Sequence, residues 1–288
     1  MVAWLDSDGR HAVADSGWVH PEVSDEAKPR FDTSTAHIAR IYNYLLGGKD
    51  NFAADREAAD AAVRAYPQAV TTARANRAFL ARTVRYLADG EGIRQFLDVG
   101  TGLPSANNTH EVAQDAAPDA RIVYVDNDPI VLSHARALLT SKPEGRTAYI
   151  EADLRDTAAI LADAAGTLDF TQPVAVMLLA VLHCIPDEDD PYRIVADLMR
   201  TVPAGSFLVI SHPTSDIHTE VTQAYESARP MMNEPVTFRG RDQVLRFFDG
   251  LDLLEPGMVP IPEWRPRSEL EARAKAAFWG GVARKPAT

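Results

Sequence analysis

The chain has 288 residues, of which 46% are hydrophobic and 24% charged, and 41 acidic against 29 basic side chains give a formal net charge of −12. That length predicts one large domain or two small ones, with enough apolar content for a sizeable core. A wholly disordered chain is excluded, a disulfide scaffold is excluded because Cys184 is the only cysteine, and the acidic balance argues against broad nucleic-acid binding, which needs cations to displace counterions.

Residues 1–30 are polar and unpatterned, and are expected to form a flexible arm. The first twenty residues have no basic stretch leading into an apolar one, so no signal peptide is expected. From 31 to 92 the pattern is helical. Ile38, Ile41, Tyr42, Leu45 and Leu46 keep the spacing of one helical face. Asp32, Thr33 and Ser34 are N-cap candidates, Gly47-Gly48 stops the helix, and Asp50 is placed to cap a second helix ending at Pro67. A third helix is expected from about Gln68 to Leu87.

Between 93 and 211 short apolar runs alternate with helical stretches. The runs are IRQFLDV, RIVYVD, TAYIEAD, PVAVMLLAV and GSFLVISH. Helices are expected near Asn108–Ala117, Pro129–Leu139, Thr157–Ala164 and Pro191–Arg200. Alternation of strand and helix predicts a parallel sheet covered on both faces. Beyond 211, helices are expected at 216–228 and 241–249, and strands near 251–256 and 276–285. The longest apolar run, VAVMLLAV (174–181) followed by Leu182, is half of what a membrane-spanning helix needs. A reducing, cytoplasmic setting without membrane partners is therefore expected.

In such sheets ligands bind outside the carboxyl ends of the strands. The first strand runs into FLDVGTGLPSANN (96–108), with Asp98 at its end and Gly100 and Gly102 in the turn. Glycine there permits positive φ and close backbone approach to a ligand. The second strand ends at Asp126, followed by Asn127, Asp128 and Pro129. Asp126 is placed to accept ribose hydroxyls, and Asp128 to cap the next helix. The third ends EADL, with Asp153 placed to accept from an adenine amino group and Leu154 beside it.

These residues resemble a class I S-adenosylmethionine (SAM)-dependent methyltransferase. FLDVGTG matches the family's strand–acid–x–G–x–G motif, YVDNDP its ribose-binding strand, and EADL its adenine-contacting turn. YNYLLGGKDNFAADRE (42–57), FLDVGTGLP, YVDNDP and FFDGLDLLEPG…EWRP (247–266) resemble one bacterial family, long filed as a domain of unknown function. The likeness spans about residues 31–285. It implies a Rossmann-like, seven-stranded, mostly parallel sheet whose last strand inserts antiparallel, with helices on both faces and an N-terminal helical extension. It implies SAM as cofactor, and it places Ala180 and Leu182 beside the methyl-transfer site. The third glycine of the fullest motif is absent, since Leu103-Pro104 follows Gly102. The expected division is an arm (1–30), a helical lid (31–92) and a SAM-binding domain (93–288).

Other residues carry further expectations. On a helical wheel, Arg77 falls in the apolar sector of Val70, Ala73, Leu80, Val84 and Leu87, whereas Arg74, Arg82 and Arg85 fall outside it. An inward guanidinium needs an anionic partner. Arg77, or neighbouring Arg74, is expected to meet the methionyl carboxylate or Asp98, with a structural acid as the alternative. His183 is the candidate base, because an unperturbed histidine titrates near neutrality. Cys184 is a weak nucleophile candidate. The run Asp187, Glu188, Asp189 and Asp190 reads as a solvated loop, and no metal site is expected. Tyr42, Tyr44 and Asn51 are expected to cover the methyl side, with Gly47-Gly48 as hinge. The acceptor is expected to be a small molecule. The alternatives are a nucleotide-dependent oxidoreductase, which Leu103-Pro104 disfavours, and a catalytically silent SAM-binding module.

Overall fold

The computed structural model describes residues 32–131, 141–232 and 234–287. The expected arm and the part of the 129–139 helix beyond Val131 lie outside the described residues. The chain begins with helices α1 (Ile38–Leu45), α2 (Ala53–Ala65) and α3 (Ala69–Arg85). Strand β1 (Gln95–Val99), helix α4 (Thr109–Ala116), β2 (Arg121–Asp126), β3 (Arg146–Glu151), β4 (Ala175–Leu179) and β5 (Phe207–Pro213) follow. Short strands β6 (Asp252–Leu253) and β7 (Val259–Pro260) precede the final β8 (Phe278–Arg284).

The sheet order is β3-β2-β1-β4-β5-β8-β6, with β7 also paired to β8. β1 to β5 are mutually parallel, and β8 runs antiparallel to β5 with Phe207 opposite Arg284 and Pro213 opposite Phe278. β6 pairs with Arg284 and Ala283, and β7 with Gly280 and Trp279. The seventh position of the sheet is thus one edge strand broken in two. The sequence pattern anticipates β6 and β8 but not β7, whose two residues lie among prolines and carry no period.

The central strands read as continuous apolar runs because both faces are covered. Alternate residues point to opposite sides. Leu97, Val99, Val123, Val125, Val176 and Leu178 join one core with Ile160, Ile194 and Leu198 from the helices Thr157–Ala164 and Pro191–Thr201. Phe96, Ile122, Tyr124, Ala175 and Met177 join the other with Val112 of α4 and Phe79, Leu80 and Val84 of α3. Helix α3 is therefore a layer of the sheet's own core. Helices α1 and α2 pack separately, through Ile41, Ala58 and Ala59, onto Ala228 at the end of the helix Glu220–Ala228.

Local signals mislead at the first two helix starts. The N-cap of α1 is His37, whose Nδ1 accepts from the Ala39 amide; Asp32 instead binds Ser34 and Thr35. The N-cap position of α2 falls on Phe52, whose amide donates to Asp55 at 2.7 Å. Asp55 is buried and also takes Arg40 and the His37 amide, so tertiary packing selects it over Asp50.

Arg82 departs most from the helical wheel. It is only 5% exposed, donates to the carbonyls of Ile261 and Trp264 at 2.6 and 2.9 Å, and pairs with Glu271. The 261–271 segment crosses that side of α3 and turns a nominally outer face into an interior one. Removing one member of a buried charged network strands the others. Arg82→Leu is expected to lower the unfolding free energy by about 3 kcal/mol in urea titration; a loss under about 1 kcal/mol would show that these bonds contribute no more than a surface pair.

Candidate active site

A cavity of about 370 Å³ opens at the carboxyl ends of the parallel strands. Asp98, Gly100, Gly102, Asp126, Asn127, Asp153, Leu154, Ala180 and His183 all line it, together with Arg77 of α3 and Tyr42 of α1. Separate strand ends converge because parallel strands all point their carboxyl termini the same way.

Gly100 has φ +73°, and a Cβ there would lie 2.3 Å from the Val181 side chain. Only glycine lets the β1 turn approach the β4 turn so closely. Ala180 itself sits in the left-handed region at φ +53°. Its amide is held at 3.0 Å by the Ser211 carbonyl and at 3.1 Å by the Ser211 hydroxyl. Ser211 Oγ donates to Asn76 Oδ1 at 2.6 Å, Asn76 Nδ2 donates to the Tyr42 hydroxyl at 3.1 Å, and Tyr42 donates to the Ala73 carbonyl. One relay therefore ties β4, β5, α3 and α1 together around the cavity wall. Strain of this kind persists only where its surroundings over-determine it.

The strand-end acids differ in environment. Asp98 Oδ2 accepts from the Thr109 hydroxyl at 2.6 Å. Burial outweighs that bond and the Arg77 charge, and with help from Asp126 raises the Asp98 carboxyl to about 6. Asp126 accepts from the Gly102 amide at 2.8 Å and the Asp128 amide at 3.0 Å, yet burial still raises it. Asp128 accepts from the Ile130 amide at 2.8 Å, as a helix cap does. Asp153 takes the Arg155 amide and guanidinium, each at 2.8 Å, and Arg155 reaches on to Asp189 at 2.7 Å.

Arg77 Nη2 donates to the carbonyls of Ala106 and Asn107, at 3.2 and 2.8 Å. Its Nε is buried with no partner. It is neither paired with a structural acid nor hydrogen-bonded to Asp98, and its charge is felt at Asp98, Tyr42 and Tyr124.

His183 differs from the expectation of a near-neutral base. Burial first, then the Arg239 charge, lowers it to about 4, so it is a neutral imidazole across the ordinary pH range. Its Nδ1 is buried and unpartnered. Burial pushes the Cys184 thiol up to about 12, which removes it as a nucleophile. Three of the four acids in the run are engaged in structure: Asp187 pairs with Arg239 at 2.6 Å, Asp189 with Arg155, and Asp190 caps the helix at Pro191, while Glu188 is exposed. Among the described residues no group of three or more His, Cys, Asp or Glu is placed to hold a metal.

Tyr44 and Asn51 do not reach the cavity. The Tyr44 hydroxyl bonds Asp60 on the surface, and Asn51 Nδ2 donates to Asn43 Oδ1 and the Gly48 carbonyl. Gly48 lies against Asn43, where a Cβ would come within 2.3 Å of its amide. The YNYLLGGKDNF segment is thus a turn built around buried Asn43, and the hinge expected at Gly47-Gly48 is pinned.

Sequence reasoning missed His37 and Glu234. His37 Nε2 lies 2.9 Å from Glu234 Oε1, its Nδ1 lies 3.5 Å from Asp128, and the Ile38 amide donates to Glu234. Burial disfavours the imidazolium, but the Glu234 bond and the Glu234 and Asp128 charges outweigh it and raise His37. With the Ala36–Met232 bridge, this clasp joins the start of α1 to Met232 and residues 234–238 across the cavity. The pair is 197 residues apart, and no local signal could have announced it.

A mostly parallel sheet with one antiparallel strand inserted beside the last, and acids and a glycine turn at its carboxyl edge, define a class I methyltransferase architecture. The chain belongs to the S-adenosyl methyltransferase family, whose model matches residues 24–286. A DUF574 family protein from Streptomyces avermitilis is 46% identical over 88% of this chain and 99% of its own, with a TM-score of 0.85. A protein of Thermobifida fusca assigned to the methyltransferases is 38% identical over 94% of this chain and 100% of its own, with a TM-score of 0.82. No functionally curated protein matches. The protein is therefore a SAM-dependent methyltransferase, which replaces the oxidoreductase alternative. No helix among the described residues is long and apolar enough to cross a membrane.

The raised Asp98 carboxyl has a consequence for stability. Its folded value, about 6, lies above the unfolded value of 3.8, so the folded state holds the proton more tightly between the two. Stability then falls as pH rises from about 4 to 6, because the unfolded chain releases the proton first. Asp98→Asn, which can still accept from Thr109, is expected to flatten that fall by about 2–3 kcal/mol in ligand-free protein. Parallel pH–stability curves for the two proteins would contradict it.

Proposed function

We propose that the protein transfers the methyl group of SAM to a small-molecule acceptor bound in this cavity. The observation that carries the reading is Arg77 Nε, a buried guanidinium donor left without a partner at the wall where three strand-end carboxylates converge. An unpaired buried donor costs about 1–3 kcal/mol and calls for an explanation. The methionyl carboxylate fits it.

In this reading Asp126, with Asn127 beside it, accepts the ribose hydroxyls, and Asp153 with Leu154 borders the adenine. Gly100 and Gly102 let the chain approach the cofactor, Asp98 and Arg77 serve its amino-acid end, and Ala180 borders the methyl side. The bound cofactor supplies an already activated methyl group, so the chain's task is alignment and exclusion of water. The start of α1, Met232 and residues 234–238 form the roof, and this replaces a lid hinged at Gly47-Gly48. The acidic chain and the concave, largely apolar cavity favour a small acceptor over a nucleic acid.

Calorimetry with SAM and with adenosine separates the roles. Asp126→Ala is expected to weaken both ligands by about 1.5–3 kcal/mol, the scale of hydrogen bonds to a charged group. Arg77→Leu is expected to weaken SAM and leave adenosine nearly unchanged; equal loss of both ligands would return Arg77 to a structural role. For the roof, hydrogen exchange at the Ile38 and Ala39 amides is expected to slow when SAM is added. Identical exchange with and without bound SAM would remove the roof assignment.

A further inference from the structure

The cavity offers an acceptor hydrogen bonding and apolar surface but no free positive charge. Beside the His37–Glu234 pair, its roof and far wall carry the apolar side chains of Ile41, Met232, Val236, Phe238 and Phe278, with Tyr225 among them. Among the described residues four cationic or cation-capable side chains line it: Arg77, Arg155, His37 and His183, the last held neutral by burial. Arg155 is spent on Asp153 and Asp189, and His37 on Glu234, with Asp128 3.5 Å from its other ring nitrogen. Arg77 Nη2 is bonded to two carbonyls, and its unpartnered Nε is the group assigned above to the methionyl carboxylate. Glu234 adds a further carboxylate to the lining. Apart from the donor's own sulfonium, an anionic acceptor would therefore meet carboxylates with no free protein cation to neutralise it, and desolvating such a charge without a partner is costly.

Among the polar groups of the lining, His183 is the one with a buried ring nitrogen left unpartnered. Its imidazole lines the cavity, is 6% exposed, and leaves Nδ1 without a partner. The surrounding loop holds it in place. Arg239, 1% exposed, donates to the carbonyls of Leu182 and Ile185 on either side, each at 2.8 Å, and the Thr237 amide donates to the His183 carbonyl at 2.8 Å. A buried imidazole fixed through its backbone, packed edge-on against His212 and unpartnered at Nδ1, keeps one ring nitrogen for a hydrogen-bonding ligand.

We infer that the acceptor is an uncharged, largely apolar small molecule presenting one O–H or N–H to His183, and that methylation occurs at that heteroatom. This rests on the methyltransferase reading above. The acceptor's oxygen or nitrogen forms a bond to the methyl carbon. The sulfur–carbon bond of the donor breaks with its electron pair left on sulfur, and the O–H or N–H proton passes to the His183 ring. The positive charge thus moves from sulfonium to imidazolium, where the field of Glu234 favours it while burial and Arg239 oppose it and keep the charge transient. Because His183 is a weak base, it gives the proton up readily to water once the product leaves.

The test uses the full chain loaded with S-adenosylhomocysteine and two matched probe sets observed by ligand NMR. One set is neutral phenols and indoles; the other is benzoates and phenyl phosphates of similar size. The neutral set is expected to bind at least about tenfold more tightly than the anionic set. His183→Phe is expected to lose about tenfold in neutral-probe affinity with S-adenosylhomocysteine affinity unchanged, and His183→Gln, which keeps a polar end, to lose less. Anionic probes binding as well as neutral ones, neither set binding to the loaded wild type, or neutral probes binding His183→Phe undiminished would each overturn the inference. Failure of the wild type to bind S-adenosylhomocysteine would instead strike the cofactor reading.

Discussion

The arrangement depends on keeping carboxylates in the low-dielectric carboxyl edge of a parallel sheet. Asp98 ends a strand whose every residue is buried, and Asp126 ends its neighbour. Neither has a salt-bridge partner among the described residues. They are held by single hydrogen bonds from Thr109, Gly102 and Asp128 and by the field of Arg77 and His37. Such groups are under-compensated without a ligand, and in the function proposed above a ligand bringing hydroxyls and an ammonium relieves them. The energy withheld from folding is available for binding.

The same logic runs along the rest of the wall in the opposite sense. The loop after β4 carries a left-handed Ala180, a neutral His183 and an inert Cys184. It stays in one conformation because Arg239 gathers its carbonyls, Asp187 and His212 Nε2, while His212 Nδ1 pairs with the Pro213 carbonyl. Burial lowers His212 to about 3, so this imidazole too stays neutral and does not compete with Arg239. A fully satisfied buried network of this kind rigidifies its surroundings. The loop's own polarity is thus free to face the cavity.

The N-terminal helices divide between two tasks. Helix α3 covers a sheet face and delivers Arg77 and Asn76 to the wall. Helix α1 packs on α2 and the helix Glu220–Ala228, away from the central cores, and meets Glu234 and Met232 through His37 and Ala36. Its attachment is a few polar bonds and small apolar contacts, whereas α3 is anchored by Phe79, Leu80 and Val84. Elements with few buried apolar contacts open first, which suits α1 to the roof and α3 to the frame.

The strand runs, the helices between them and the acids at successive strand ends were legible in the sequence, because each is written in a local period or in a residue next to a glycine turn. Helix Thr157–Ala164 falls where the pattern puts it. Arg77 was legible too, since a wheel predicts which face is inward when one sheet provides the core. The tertiary structure alone decided what lies across long separations. Arg82 became interior because a segment some 180 residues away folds over it. Asp55 displaced Asp50 as the partner of a helix start because Arg40 neutralises it there. His183 lost its basicity because Arg239 and burial surround it, and Tyr44 and Asn51 turned away because Asn43 and Asp60 claimed them. A periodic pattern specifies which way a side chain points along its own element; only the packed chain sets the partners and the dielectric it meets there.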